Sequence, residues 1–89
     1  MNNAPLKSGD IIARRIEKEI VLIQNNGLAV HVLNNTAARI WELCDGNHSP
    51  EQIAACLCEQ YDVSEEEAGA DVRNTLERLT KLGVMQNEA

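Results

Sequence analysis

The chain has 89 residues, of which 44% are hydrophobic and 25% charged, with a formal net charge of −6 at pH 7. It is therefore read as one domain with a small core and marginal stability. No run of about 18 apolar residues is present, which excludes a membrane-spanning helix, and the N-terminal Met-Asn-Asn-Ala-Pro-Leu-Lys-Ser-Gly-Asp has no hydrophobic signal core, so a cytoplasmic protein is expected.

Residues 1–9 are polar, with Pro5 and Gly9, and read as a flexible arm; residues 10–85 read as the domain and 86–89 as a short tail. Ile11 to Ile16 form a first strand without a cleanly apolar face. Glu17-Lys18 breaks it. Glu19 to Gln24 is a second strand, and its continuous run Ile20-Val21-Leu22-Ile23 predicts cover on both faces. Asn25-Asn26-Gly27 is a turn, because Asn and Gly both accept positive φ. Leu28 to Leu33 is a third strand, with Leu28, Val30 and Val32 on one side and Ala29, His31 and Leu33 on the other. The second and third strands should pair as an antiparallel hairpin.

The first helix spans about 35–45. Asn34, Asn35 and Thr36 are N-cap residues, Ala37, Ile40, Trp41 and Cys44 make one apolar stripe, and Gly46 supplies a left-handed stop. Trp41 is the only Trp of a chain that has no Phe and one Tyr, and we place it in the core. Ser49-Pro50-Glu51-Gln52 opens a second helix with a capping box, and Ile53, Leu57 and Tyr61 carry its apolar side. Ser64-Glu65-Glu66-Glu67 caps a third helix that runs to about Leu82. Ala68, Val72, Leu76 and Leu79 form its core stripe, Gly83 ends it, and Val84-Met85 can fold back on the last turn. The expected fold is α+β: a small three-stranded antiparallel sheet followed by three helices, like a winged helix-turn-helix.

Catalytic chemistry is missing. There is no Gly-rich phosphate loop, no His-Glu-x-x-His and no Cys-x-x-Cys, and no nucleophile lies beside a base. Cys56 and Cys58 point in nearly opposite directions on a helix, so with Cys44 they read as apolar filler rather than as a zinc site, although His48 lies near Cys44 in sequence. The three glutamates at 65–67 read as a solvated cap. The chain is thus expected to be a binding module, with no catalytic residue, metal or cofactor, rather than an enzyme.

The charge is uneven. Residues 1–44 hold five basic and four acidic side chains, whereas 45–89 hold three and ten. The acidic half repels a phosphate backbone and favours a basic partner. Residues 64–82 hold Arg73, Arg78 and Lys81 against five acidic groups, which opposes a DNA-binding role for the third helix.

Leu33-Asn34-x-Thr-Ala-Ala-x-Ile-Trp-Glu-Leu-Cys-Asp-Gly, then Ser49-x-Glu-x-Ile, Leu57-x-x-x-Tyr61, Ala70-Asp71-Val72 and Leu76 to Gly83 resemble, in their joint order and spacing, the PqqD-like family. These proteins are the stand-alone form of the RiPP recognition element, and the resemblance covers roughly residues 10–85. It implies a winged-helix-like fold without a DNA role. It also implies a peptide chaperone that binds the leader segment of a ribosomal precursor peptide and presents it to a modifying enzyme: a radical SAM enzyme, or a protease (leader peptidase) or cyclase of lasso-peptide systems. In the family the leader adds a strand to the third strand, in the groove beside the third helix. Members of the quinone cofactor (PQQ) pathway often carry Pro-Glu before the Leu-Asn segment, where this chain has Asn26-Gly27-Leu28-Ala29-Val30-His31. The pathway therefore stays open between PQQ and another modified peptide.

The residues fit such a role. Leu28, Ala29, Val30, His31, Val32 and Leu33 form a strand with no Lys or Pro to guard an edge, and an extended peptide can pair with its free amides and carbonyls. Asp71, Thr75, Arg78 and Leu82, at i, i+4, i+7 and i+11, lie along one flank of the third helix and are the expected groove wall, with Asp71 and Arg78 reading leader charges. A homodimer through the same strand edge is the structural alternative. A docking subunit that scaffolds an enzyme without a peptide groove is the functional one.

Overall fold

The structure, a computed structural model, describes residues 4–24, 27 and 29–86. Its elements are β1 (Ile12–Ile16), β2 (Glu19–Gln24), β3 (Ala29–Leu33), α1 (Asn35–Glu42), α2 (Pro50–Gln60) and α3 (Glu65–Leu82). The strands form one antiparallel sheet in the order β1-β2-β3. The α+β arrangement, sheet first and helices after, is the one the sequence indicates. Asn25 and Asn26 of the expected turn, and Leu28, the expected first residue of the third strand, lie outside the described residues; Gly27, between them, has φ +92.

The register sets the two faces of the sheet. Ile20 pairs with Leu33, and Leu22 with His31. Ile20, Leu22 and Leu33 are buried, so this face meets the helices. Directly opposed residues share a face, so Val21 with Val32 and Ile23 with Val30 lie on the other. The cover expected on both faces is present on one only. Val30 and Val32 are exposed and Val21 and Ile23 half-buried, because α1, together with Leu79 of α3, packs on the inner face only, while α2 packs on α1 and α3.

Each helix starts where a side chain can take a free amide. Asn34 accepts from the Ala37 amide at 2.9 Å. Ser49 and Gln52 form the reciprocal capping box. Ser64 accepts from the Glu67 amide at 3.1 Å, but its hydroxyl faces the Glu67 carboxylate, so this cap takes a one-way form. Gly83 closes α3 in the left-handed conformation. α1 ends earlier than expected, at Glu42, with Leu43 as its cap. Gly46 has the expected positive φ, yet its amide donates to Pro5 O at 2.9 Å instead of closing the helix.

That bond belongs to a strip of pairing that the sequence reading does not anticipate. Residues 4–8 are not a free arm. The Lys7 amide donates to Cys44 O, the Ser8 amide to Val84 O and the Gln86 amide to Leu6 O. The chain start thus supplies partners to backbone groups of 44–46 and 84–86 that lie outside any helix or sheet. Ala4 is buried, and Lys7 lies over the Trp41 ring at 5.8 Å.

α1 divides the core. Ala37, Ala38 and Trp41 pack with Ile20, Leu22, Leu33, Leu79 and Val84 against the sheet. Ile40, Leu43 and Cys44 pack with Ile53, Leu57, Ala68 and Val72 between the helices. Trp41 is 3% exposed, as expected. Cys44 is buried and Cys56 and Cys58 half-buried, all as free thiols. Burial pushes the Cys44 thiol up to about 12, and it donates to Ile40 O.

Candidate functional site

A sheet of three strands has two open edges, and these differ in chemistry. The β1 edge carries Arg14 and Arg15, charges of the kind that discourage another strand from pairing. The β3 edge is Ala-Val-His-Val-Leu, with no Lys, Arg or Pro. Among the described residues β3 pairs with β2 alone. α3 passes on the helix side of this edge with none of its Cα atoms within 8 Å of a β3 Cα, although Leu79 shares the core cluster of Leu33.

Where β3 passes into α1, a cleft of about 230 Å³ opens between Asn34, Thr36 and Ala37 on one wall and Asp71, Asn74, Thr75 and Arg78 on the other. It exists because Asn34 turns the chain sharply from strand to helix, and the flank of α3 crosses that turn. Asp71 and Arg78 are exposed, and among the described residues neither has a hydrogen-bond or ion-pair partner. The cleft therefore offers one free anion, one free cation and several neutral hydrogen-bonding groups. Toward the other end of β3, the His31 ring lies 3.1 Å from the Gln24 side-chain oxygen.

Of the residues singled out from sequence, Asp71, Thr75 and Arg78 come together in the cleft. Ala29 and His31 are half-buried on the helix side of β3, while Val30 and Val32, 56% and 51% exposed, stand on the outer face. Leu33 is fully enclosed, so it can offer a ligand only its backbone. Leu82 does not line the cleft; it packs against the cluster around Trp41 and Leu79. Leu28 lies outside the described residues. The sequence reading missed Asn34, Thr36, Ala37 and Asn74 as cleft residues. For the first three, the capping signal that identifies the helix start was the clue, since a capped turn beside an open edge exposes the side chains around it. Among the described residues no group of three or more His, Cys, Asp or Glu is placed to hold a metal ion, and no helix is long and apolar enough to cross a membrane.

No curated protein matches the sequence. Solved structures do resemble the fold. TbiB1 in complex with the TbiA(beta) leader peptide is 25% identical, with a TM-score of 0.82 over 94% of this chain and 98% of that one. Lasso peptide synthetase B1 complexed with the leader peptide is 24% identical, with a TM-score of 0.82 over 94% of this chain and 99% of that one; at that identity the likeness speaks to fold alone. The heterocyclase TruD aligns over 97% of this chain but only 12% of its own, with 25% identity and a TM-score of 0.66, so the chain corresponds to a small part of that enzyme. The family model for coenzyme PQQ synthesis protein D (PqqD) matches residues 19–85, three quarters of the sequence, and the chain belongs to that family.

Proposed function

We propose that the protein is a peptide chaperone that captures the leader segment of a ribosomally made precursor peptide by strand addition and presents it to a modifying enzyme. One observation carries this reading. β3 is an open strand edge without guarding charges, and it runs beside a cleft whose Asp71 and Arg78 are unpaired. The similarity to TbiB1, a protein seen with a leader peptide, supports it. A leader strand next to β3 pairs its backbone with the free edge, and its side chains alternate. One set faces α3 and the Asp71–Arg78 cleft; the other extends the outer sheet face beside Val30 and Val32. The chaperone contributes recognition and no bond chemistry.

The modifying enzyme belongs to the radical SAM, protease or cyclase classes, in the cytoplasm; a like fold forming part of a heterocyclase supports recruitment to an enzyme. The sequence 26–31 leaves the product open between PQQ and another modified peptide. A second copy of the chain paired through β3 is the competing occupant of the edge.

The test is titration with a labelled leader peptide from a precursor gene neighbouring this one. Amide shifts should concentrate in 29–33 and 71–78. Successive amides of an edge strand point alternately inward and outward, so of Val30→Pro and His31→Pro one breaks the β2 ladder and the other blocks only the open edge. The second type should keep the fold and abolish binding. Arg78→Glu should weaken binding with little effect on stability, since Arg78 is exposed and unpaired. Shifts confined to α2, or both folded proline variants binding at full strength, would refute strand addition. A mass that doubles without peptide and returns to monomer in the proline variant would assign the edge to self-association.

A further inference from the structure

Gly69 lies inside α3, where glycine is a poorer helix former than any residue but proline. Nothing in the described chain asks for it. A Cβ at this position meets no atom within 4 Å, and its φ is not in the positive range. It opens instead onto a groove of about 790 Å³ between α2 and α3. Ala54, Ala55 and Cys58 face Gly69 and Leu76 across it. On both helices the lining recurs at i, i+4 and i+7 or i+8, so the groove follows roughly 12 Å of α2 and roughly 16 Å of α3, about three turns of the latter. It lies on the flank of α3 away from Asp71, Thr75 and Arg78 and is separate from the leader cleft.

The charge around it is predominantly acidic. Residues 45–72 contain eight acidic side chains and no Lys or Arg. Glu51 and Glu65 line the groove, and neither has an ion-pair partner among the described residues. Arg73, at the same groove, is the exception. We propose that the groove is a docking site for an amphipathic helix of about three turns on a partner protein, with an apolar ridge that seats over Gly69 and flanks bearing Lys or Arg opposite Glu51 and Glu65. The missing side chain at Gly69 lets the partner's backbone come close. A second copy of the chain is disfavoured, because residues 45–89 carry three basic and ten acidic side chains and repel their like. This inference stands whether or not β3 captures a leader.

The test uses the full chain and two synthetic 18-residue helical peptides with Leu at i, i+3, i+4 and i+7 spacing, one with Lys and one with Glu elsewhere. The Lys peptide should bind, with amide shifts confined to 50–58 and 65–76, and the Glu peptide should not. Gly69→Leu fills the groove at constant charge and should weaken the Lys peptide at least tenfold, as should the pair Glu51→Lys and Glu65→Lys. Leader binding should be unchanged in both variants. If Gly69→Leu does not fold, the charge reversal decides. Equal binding of both peptides, shifts elsewhere, or undiminished binding by the folded variants would overturn the proposal. So would a dimer in sedimentation velocity that Gly69→Leu dissolves, because the groove would then belong to a second copy.

Discussion

Replacing Gly69 by Ala should stabilise the protein, and the structure sets the size of the effect. The residue lies five positions into an 18-residue helix. The new methyl meets nothing within 4 Å, so it neither clashes nor adds packing. What remains is helix propensity, about 0.8–1 kcal/mol in favour of Ala in a helix interior. For a domain of this size that corresponds to about 4–8 °C in Tm and, at about 1–3 kcal/mol per molar of urea, to roughly 0.3–1 M in the midpoint. Urea unfolding followed by the fluorescence of Trp41, the only Trp, measures it directly. Gly83→Ala is the matched control. The same methyl is added, meeting only Gln24 Nε2 in ordinary contact at 4.0 Å, but at φ +79. A left-handed L-residue costs about 1–2 kcal/mol, so this variant should fall by a similar amount or more. A Gly69→Ala midpoint that stays put or drops would mean that its Cβ is met by something or that α3 is not regular there. Gains at both positions would refute the assignment of Gly83 as the left-handed cap.

Trp41→Ala should cost about 3–5 kcal/mol, a large share of a total of roughly 4–13 kcal/mol for a chain of this length, so the variant should melt far below the parent by circular dichroism; a melt that hardly moves would place the indole outside the core. Iodoacetamide at pH 8 should reach Cys56 and Cys58 before Cys44, whose thiol burial pushes to about 12; mass spectrometry showing Cys44 alkylated as fast as the others would show that site open. The Asp45 carboxylate is held below the usual carboxylate range, chiefly by its hydrogen bond with His48 and then by the Asn47 amide. Its contribution is therefore present above the ordinary Asp value of about 3.9 and lost as pH falls through the lowered value. Asp45→Asn should be less stable than the parent at pH 6–7 and converge with it in strong acid. A gap that widens on acidification would contradict the assignment.

The parts of this fold legible in the sequence are those that a local backbone need dictates. Asn34, Ser49, Ser64 and Gly83 mark helix ends because capping involves neighbours only, and alternation in 29–33 marks a strand because its period is two. What the sequence did not show depends on partners far along the chain. The pairing of residues 5–8 with 44–46 and 84–86 has no local signature. The continuous apolar run of β2 predicts cover on both faces, yet whether a second layer exists is a matter of topology. Leu82 illustrates the same limit. Eleven residues past Asp71, it returns to nearly the same helical angle, so spacing alone puts it on the cleft. It occupies the last turn of α3, however, where the helix end reaches the sheet near Gln24, and it packs half-buried against the cluster around Trp41 and Leu79.

The same reasoning explains why one groove was readable and the other was not. α3 carries three stripes: Ala68, Val72 and Leu79 inward, Asp71, Thr75 and Arg78 toward the β3 cleft, and Gly69, Arg73 and Leu76 toward α2. Hydrophobic periodicity detects the first, and a polar flank beside an unguarded strand suggests the second. The third carries Gly69 and faces Ala54 and Ala55 of α2, small residues that look like permissive helix filler. Small side chains can mean tight packing or an empty groove, and only the positions of the surrounding atoms separate the two. At Gly69 the surroundings are open, so the glycine that lowers the stability of α3 also leaves a surface on it uncovered. Should Gly69→Ala raise the midpoint as calculated while Gly69→Leu loses the Lys peptide and keeps the leader, stability and docking would be shown to conflict at this one position, and the two flanks of α3 to act as separate binding surfaces.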